Sequence, residues 1–180
     1  MTTVVAGTNS RAIGWGIAVL AGIVAMIVFA IIEIAFSWAM RGTSPWTPLG
    51  IFGTVTLQAI VPSAAVGGGP RTAAVGAALL VAIGALSGVI VAIIVNRVGT
   101  ATAAIIGVVF GIAMYAVDMY GIARIFPSLV GLRDWMSALA YVIQGALTAG
   151  LYKAMTRDVV EGVAEGTGHD LRDLRNVRLV

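Results

Sequence analysis

Four long apolar stretches constrain the fold of this chain more than any other feature of its sequence. They cover residues 12–40, 72–95, 101–122 and 134–155, and each carries almost no charge. A helix that crosses a bilayer needs roughly 20 predominantly apolar residues, and each stretch reaches that length. The sequence therefore predicts an all-α membrane protein whose four transmembrane helices pack as an antiparallel bundle.

The composition agrees with this class and argues against several kinds of site. Hydrophobic residues make up 59% of the chain and charged residues only 11%, whereas soluble domains carry roughly 25% charged residues. There is no cysteine and a single histidine, His169, so we expect no cofactor and no metal bound by thiolate or imidazole. The lysines and arginines are not clustered with aromatic residues, so nucleic acid is not an expected partner.

The apolar stretches divide the chain into a transmembrane domain, residues 1–155, and a polar tail, residues 156–180. In the first loop, Thr47 and Pro48 have the pattern of a capping hydroxyl followed by a proline at the first helical position. The uncharged run after them is too short to span a bilayer. It predicts a short helix, about 48–60, that lies in the interface or packs on the bundle.

The remaining connections are predicted from turn-forming residues. Residues 62–70 contain three consecutive glycines between two prolines, which is typical of a flexible connection. Residues 96–100 are short enough for a tight turn, so we expect the second and third spans to be antiparallel neighbours. Asp134 is placed to cap the fourth helix.

Counting lysine and arginine on each side of the predicted spans gives an orientation. The side that holds both termini has seven, and the opposite side has only four, Arg41, Arg71, Arg124 and Arg133. Because cytoplasmic segments carry the excess of basic residues, the count predicts that both termini are cytoplasmic. The opposite side is called the outer side below.

Two ionisable residues, Glu33 and Asp118, fall inside the predicted spans and toward the outer side. Charged groups inside a membrane are costly and are therefore candidates for function. If their helices touch, the two carboxylates could share a proton or a cation. The alternative is structural, with each acid bonded to a neighbouring hydroxyl or to an arginine at the boundary, such as Arg41 or Arg124.

Small residues predict which helix faces approach closely. Asp118 shares its face with Gly107, Gly111 and Tyr115, and Gly84 and Gly88 form a similar face on the second span. Such faces let another helix backbone come near, so Asp118 is expected to point into the bundle.

The fourth span carries a polar stripe. Its members are spaced as one helical face: Ser137, Tyr141, Gln144 and Thr148. Polar groups in lipid need partners, so this face is expected inside the bundle or against another protein. It either lines a ligand site, with Tyr141 and Gln144 beside the acids, or makes hydrogen bonds between helices.

Several of these segments together resemble a known family. They are residues 111–121, Phe126-Pro127 and Arg133-Asp134-Trp135, with Glu33 and Ser44-Pro45-Trp46 in the first half. The pattern resembles a family of small uncharacterised bacterial membrane proteins with four spans, which implies a location in the bacterial inner membrane. The typical family sequence has asparagine at the position of Asp118 and histidine at that of Tyr141, so this chain departs from it there.

The sequence contains no catalytic signature, so we expect a non-enzymatic function. The first hypothesis is an accessory or assembly subunit that docks on a larger membrane complex, respiratory or photosynthetic, through its polar, glycine-lined faces. The alternative is a small homo-oligomeric proton or cation transporter or channel that uses Glu33 and Asp118. An enzyme or cofactor holder has least support, because no base, nucleophile or ligand set is present. The expected partners are the lipid bilayer and other membrane subunits or further copies of this chain.

Overall fold

The fold is known from a computed structural model that describes residues 13–61 and 69–177, with side chains described as far as residue 157. The predicted N-terminal tail and most of the predicted glycine-rich connection lie outside the described residues. All regular elements of the described part are helical.

Five α-helices form the molecule, and their order follows the predicted spans. They are α1 (Trp15–Ala39), α2 (Thr47–Ile60), α3 (Pro70–Val95), α4 (Thr100–Ala116) and α5 (Trp135–Val177). Three helical segments of the described part are long and apolar enough to cross a membrane, namely Trp15–Ala39, Pro70–Val95 and Thr100–Arg124, and Thr47–Ile60 is a shorter apolar helix. The fold is therefore compatible with a helical membrane protein.

The third predicted span changes its geometry near its end. The α-helix stops at Ala116 and continues as a π-helical turn, Val117–Gly121, which contains Asp118. A 3-10 turn, Ile122–Arg124, follows, and a second one, Pro127–Leu132, leads toward α5. The segment predicted as an outer loop thus consists largely of short helical turns.

Two helix ends differ from the prediction. Trp46 precedes the first helical residue of α2, and no side chain caps this helix, so the predicted cap by the Thr47 hydroxyl is wrong. Thr47 is instead the first helical residue, and Pro48 is still tolerated because amides of the first turn have no partner within a helix. In addition, α5 does not end near residue 155 but continues through the polar segment to Val177.

The helices associate as two antiparallel pairs, α1 with α3 and α4 with α5, joined mainly through α1 and α5. The short helix α2 packs on α3 and contacts α1. The tight turn between α3 and α4 is present, but these helices contact each other at few positions. The predicted antiparallel neighbours therefore do touch, but each packs mainly against another helix, to which its glycines fit.

Glycines lie at the crossings of both pairs, where backbones are in contact. A Cβ atom added to Gly22 would lie 2.0 Å from the Gly84 carbonyl oxygen and 2.7 Å from the Gly88 amide nitrogen. In the second pair, a Cβ atom on Gly111 would lie 2.1 Å from the Tyr141 carbonyl oxygen, and one on Gly107 would lie 2.4 Å from that of Gly145. The glycine faces expected from the sequence are therefore used within the chain.

The bundle has two ends, which are named here after a residue at each. At the Arg41 end α1 stops and α5 begins, and at the Asn96 end α3 turns into α4. All four tryptophans of the sequence are exposed and lie at helix ends, namely Trp15, Trp38, Trp46 and Trp135. This placement is typical of the aromatic belts at membrane–water interfaces.

Candidate functional site

A network centred on Arg41 lies at the Arg41 end of the bundle. The guanidinium donates to both carboxylate oxygens of Asp134, at 2.8 and 3.0 Å, and to Glu33 Oε2 at 2.9 Å. It also donates to the hydroxyls of Ser37, at 3.2 Å, and Ser137, at 2.9 Å. These five residues are called the Arg41 cluster below, and the Arg41 side chain within it is only 11% exposed.

Local sequence explains how the cluster is assembled. Glu33, Ser37 and Arg41 follow one another at four-residue spacing, so they lie on one side of the end of α1. Asp134 precedes the first residue of α5, and its Oδ1 accepts a hydrogen bond of 2.8 Å from the Ser137 amide. The predicted cap at Asp134 is thereby confirmed, and the same carboxylate serves both the helix end and Arg41.

The charges in the Arg41 cluster do not balance when all its groups are ionised, because one guanidinium faces two carboxylates. Partial burial lowers the pKa of Arg41, but the hydrogen bonds to Asp134 and Glu33 outweigh it and raise the pKa above its ordinary value. The Glu33 side chain is 2% exposed, and its Oε1 is buried without a hydrogen-bond partner. This oxygen is a free acceptor next to excess negative charge.

A second polar contact joins α5 to the π-helical turn. The Tyr141 hydroxyl donates to Asp118 Oδ2 at 2.5 Å. The ring of Tyr141 is buried and stands edge-on to Phe29 and Tyr115, with ring centroids 4.8 and 5.7 Å apart. The Tyr115 hydroxyl in turn donates to the Asp134 carbonyl oxygen at 3.1 Å. The aromatic rings therefore connect Asp118 to the Arg41 cluster.

A small cavity of about 10 Å³ lies beside Tyr141, which is room for about one water molecule. Most of its lining is apolar, with Asp118, Tyr141 and Gln144 as its polar members. Gln144 is buried, and its amide nitrogen donates to the Thr148 hydroxyl at 3.3 Å. The polar stripe predicted for the fourth span faces the interior of the chain itself.

Four of the five predicted polar site residues lie together. Tyr141 contacts Asp118 and Tyr115, and Gln144 lines the same small cavity as Asp118 and Tyr141. Glu33 belongs instead to the Arg41 cluster, so the two acids, for which a shared proton or cation was one of two hypotheses, have different partners. The bonds expected in the structural alternative are present for both acids, because Glu33 bonds Arg41 and Asp118 bonds the Tyr141 hydroxyl.

Sequence reasoning missed part of the site. The spacing of Glu33, Ser37 and Arg41 was a usable signal for one half of the cluster. Asp134 lies 93 residues from Arg41, and no local pattern could have paired them. Within the described residues, no group of three or more histidine, cysteine or acidic side chains could hold a metal ion.

Comparisons with protein-family models, with curated proteins and with solved structures found no match for this chain. The family resemblance drawn from the sequence therefore stays a prediction.

Proposed function

We propose that this protein is a small, non-enzymatic membrane transporter or channel for a proton or small cation, with Asp118 and Glu33 as the carboxylates that accept it. One observation carries the proposal. At the Arg41 end, Glu33 and Asp134 both bond the single guanidinium of Arg41, and Asp118 bonds the Tyr141 hydroxyl instead of an arginine.

Such an excess of carboxylate is costly in an apolar environment. A desolvated carboxylate without a paired cation either binds a proton or recruits a positive ion. Asp118 is such a carboxylate, and it lies beside a cavity of about one water molecule. Glu33 bonds Arg41 through Oε2, but its buried Oε1 has no hydrogen-bond partner. The π-helical turn that contains Asp118 also supports a functional role for this residue, because such turns occur frequently at functional sites.

The proposal includes four spans, with α5 as the fourth. At the Arg41 end, Asp134 lies just before α5 and bonds Arg41 at the end of α1. At the Asn96 end, the Tyr152 hydroxyl of α5 donates to Asn96 Oδ1 at 3.3 Å, in the turn after α3. The helix between these residues would rise about 27 Å at 1.5 Å per residue, close to the roughly 30 Å of a hydrocarbon core. This height supports a segment that crosses the membrane alongside α1 and α3.

Four spans place both termini on one side, and the lysine and arginine count favours the cytoplasm. The resemblance stated above favours the inner membrane of a bacterium. A transporter or channel of this size would be homo-oligomeric in our proposal, because the cavity inside one chain is too small to conduct by itself.

The accessory subunit, which is the first hypothesis from the sequence, is the second candidate here, and one observation favours it. In the most apolar stretch of the segment Thr100–Arg124, only 17% is buried inside the chain, against 39% in the corresponding stretches of α1 and α3. Exposed residues of α4 include Ile105, Val109 and Ile112. A larger complex would then dock on this apolar face of α4, because the glycine and polar faces first considered for docking are occupied within the chain.

A flux assay tests the transport proposal. Purified protein is reconstituted in liposomes that contain a dye sensitive to pH or to the cation under test, and entry of the proton or cation is followed after a gradient is imposed. We expect flux from the unmodified protein, and a loss of at least about tenfold in Asp118→Asn and in Glu33→Gln. Glu161→Gln is the matched control, because it makes the same chemical change in the polar part of α5.

Two results would count against transport. One is the absence of flux for every ion tested, and the other is flux that neither substitution alters. Copurification with larger membrane proteins, combined with no flux, would favour the accessory subunit instead.

A further inference from the structure

An open cavity of about 270 Å³ lies on the other side of the π-helical turn. Two arginines border it, Arg124 at the end of the third apolar segment and Arg133 just before α5. Both side chains are exposed. The cavity is thus a cationic site at the end of a membrane-spanning segment.

The Arg133 side chain is held in place by an aromatic ring. Its guanidinium carbon lies 4.0 Å from the centroid of the Tyr120 ring, a cation–π contact that orients the group without neutralising it. The neighbouring carboxylate, Asp134, directs both of its oxygens to Arg41. At this end of the described bundle, Asp134 and Glu33 both pair with Arg41, so neither Arg124 nor Arg133 has a carboxylate partner among the described residues.

The remaining walls of the cavity are apolar. Met119 and Ala123 are buried and line it, and the exposed side chain of Val130 stands beside them. The two guanidiniums suit a phosphate headgroup, and the apolar surface beside them suits an acyl chain. The position matches as well, because Arg124 ends the apolar segment where lipid headgroups begin.

We propose that this cavity binds the phosphate of an anionic phospholipid through Arg124 and Arg133. The proposal is independent of ion transport and does not use Asp118 or Glu33. Each arginine near a membrane surface contributes about fivefold to the affinity for anionic lipid.

Native mass spectrometry of the full chain in detergent tests this site. Phosphatidylglycerol is titrated in parallel with phosphatidylcholine, and the bound fraction is measured for each. We expect selective binding of phosphatidylglycerol, weakened about fivefold in Arg124→Gln and in Arg133→Gln, and weakened less in Arg133→Lys, which keeps the charge. Arg71→Gln is the matched control, since Arg71 is exposed but does not border the cavity.

Several outcomes would overturn the proposal. They are equal binding of the two lipids, unchanged binding in both glutamine variants, or an equal loss in Arg71→Gln. A further arm adds inorganic phosphate at millimolar concentration: lipid that stays bound supports a lipid site, and complete displacement would show a site for the free anion instead.

Discussion

Replacing Arg41 with glutamine is the sharpest test of the cluster, because it removes five hydrogen bonds and leaves two carboxylates without a cation. The Glu33 side chain is 2% exposed, and an uncompensated buried charge costs about 3–5 kcal/mol. The Asp134 side chain is 28% exposed, so water solvates its carboxylate when Arg41 is removed. The loss of this ion pair should therefore resemble that of a surface ion pair, which contributes about 0–1 kcal/mol to stability. We expect Arg41→Gln to lower the free energy of unfolding by about 3–4 kcal/mol.

The double variant separates this mechanism from a general loss of packing. Glu33→Gln removes the buried charge that Arg41→Gln leaves behind, so the combined loss should be smaller than the sum of the single losses. Contacting residues in one network typically couple by about 0.5–3 kcal/mol, and we expect a value near 2 kcal/mol because Glu33 is fully enclosed.

The measurement is unfolding by sodium dodecyl sulfate in mixed micelles, followed by tryptophan fluorescence. Arg71→Gln serves as the control and should change the free energy of unfolding by less than about 0.5 kcal/mol, as surface substitutions usually do. The reasoning is refuted if the coupling between Arg41 and Glu33 is below about 0.5 kcal/mol, or if Arg71→Gln is as damaging as Arg41→Gln.

Three further predictions address the packing, the topology and the site. Gly22→Ala should destabilise the protein by about 1–3 kcal/mol in the same unfolding assay, because the added methyl group overpacks the crossing. Gly16→Ala on the same helix should be neutral or slightly stabilising, because an added Cβ atom there meets nothing within 4 Å. Equal effects of the two substitutions would contradict the observed helix crossing. Reporter fusions at the two ends of the chain should locate both termini on one side of the membrane, and opposite sides would exclude four spans. Tyr141→Phe should lower the free energy of unfolding by about 0.5–3 kcal/mol, because it keeps the ring but leaves Asp118 without its hydroxyl partner. An unchanged midpoint of the unfolding transition would mean that the hydrogen bond contributes nothing to stability.

Much of the fold was predictable because its signals are local. Hydropathy and length located α1, α3 and the third apolar segment to within a few residues. The glycines at 84, 88, 107 and 111 were recognised as close-packing positions, and the structure has them at helix crossings. The unbroken length of α5 was missed, since a change from apolar to polar residues does not by itself end a helix.

The candidate site was predictable only in part. The sequence alone identified Asp118, Tyr141 and Glu33 as polar groups within apolar helices, because a polar residue in such a setting is conspicuous without any structure. The tertiary structure decided their partners. It places Asp134 next to Arg41, 93 residues away in the sequence, and the Tyr141 hydroxyl within hydrogen-bond distance of Asp118. The physical reason is that solvent preference and helix formation depend on neighbouring residues in the chain, whereas hydrogen bonds and ion pairs form between whichever side chains the packed backbones place within reach.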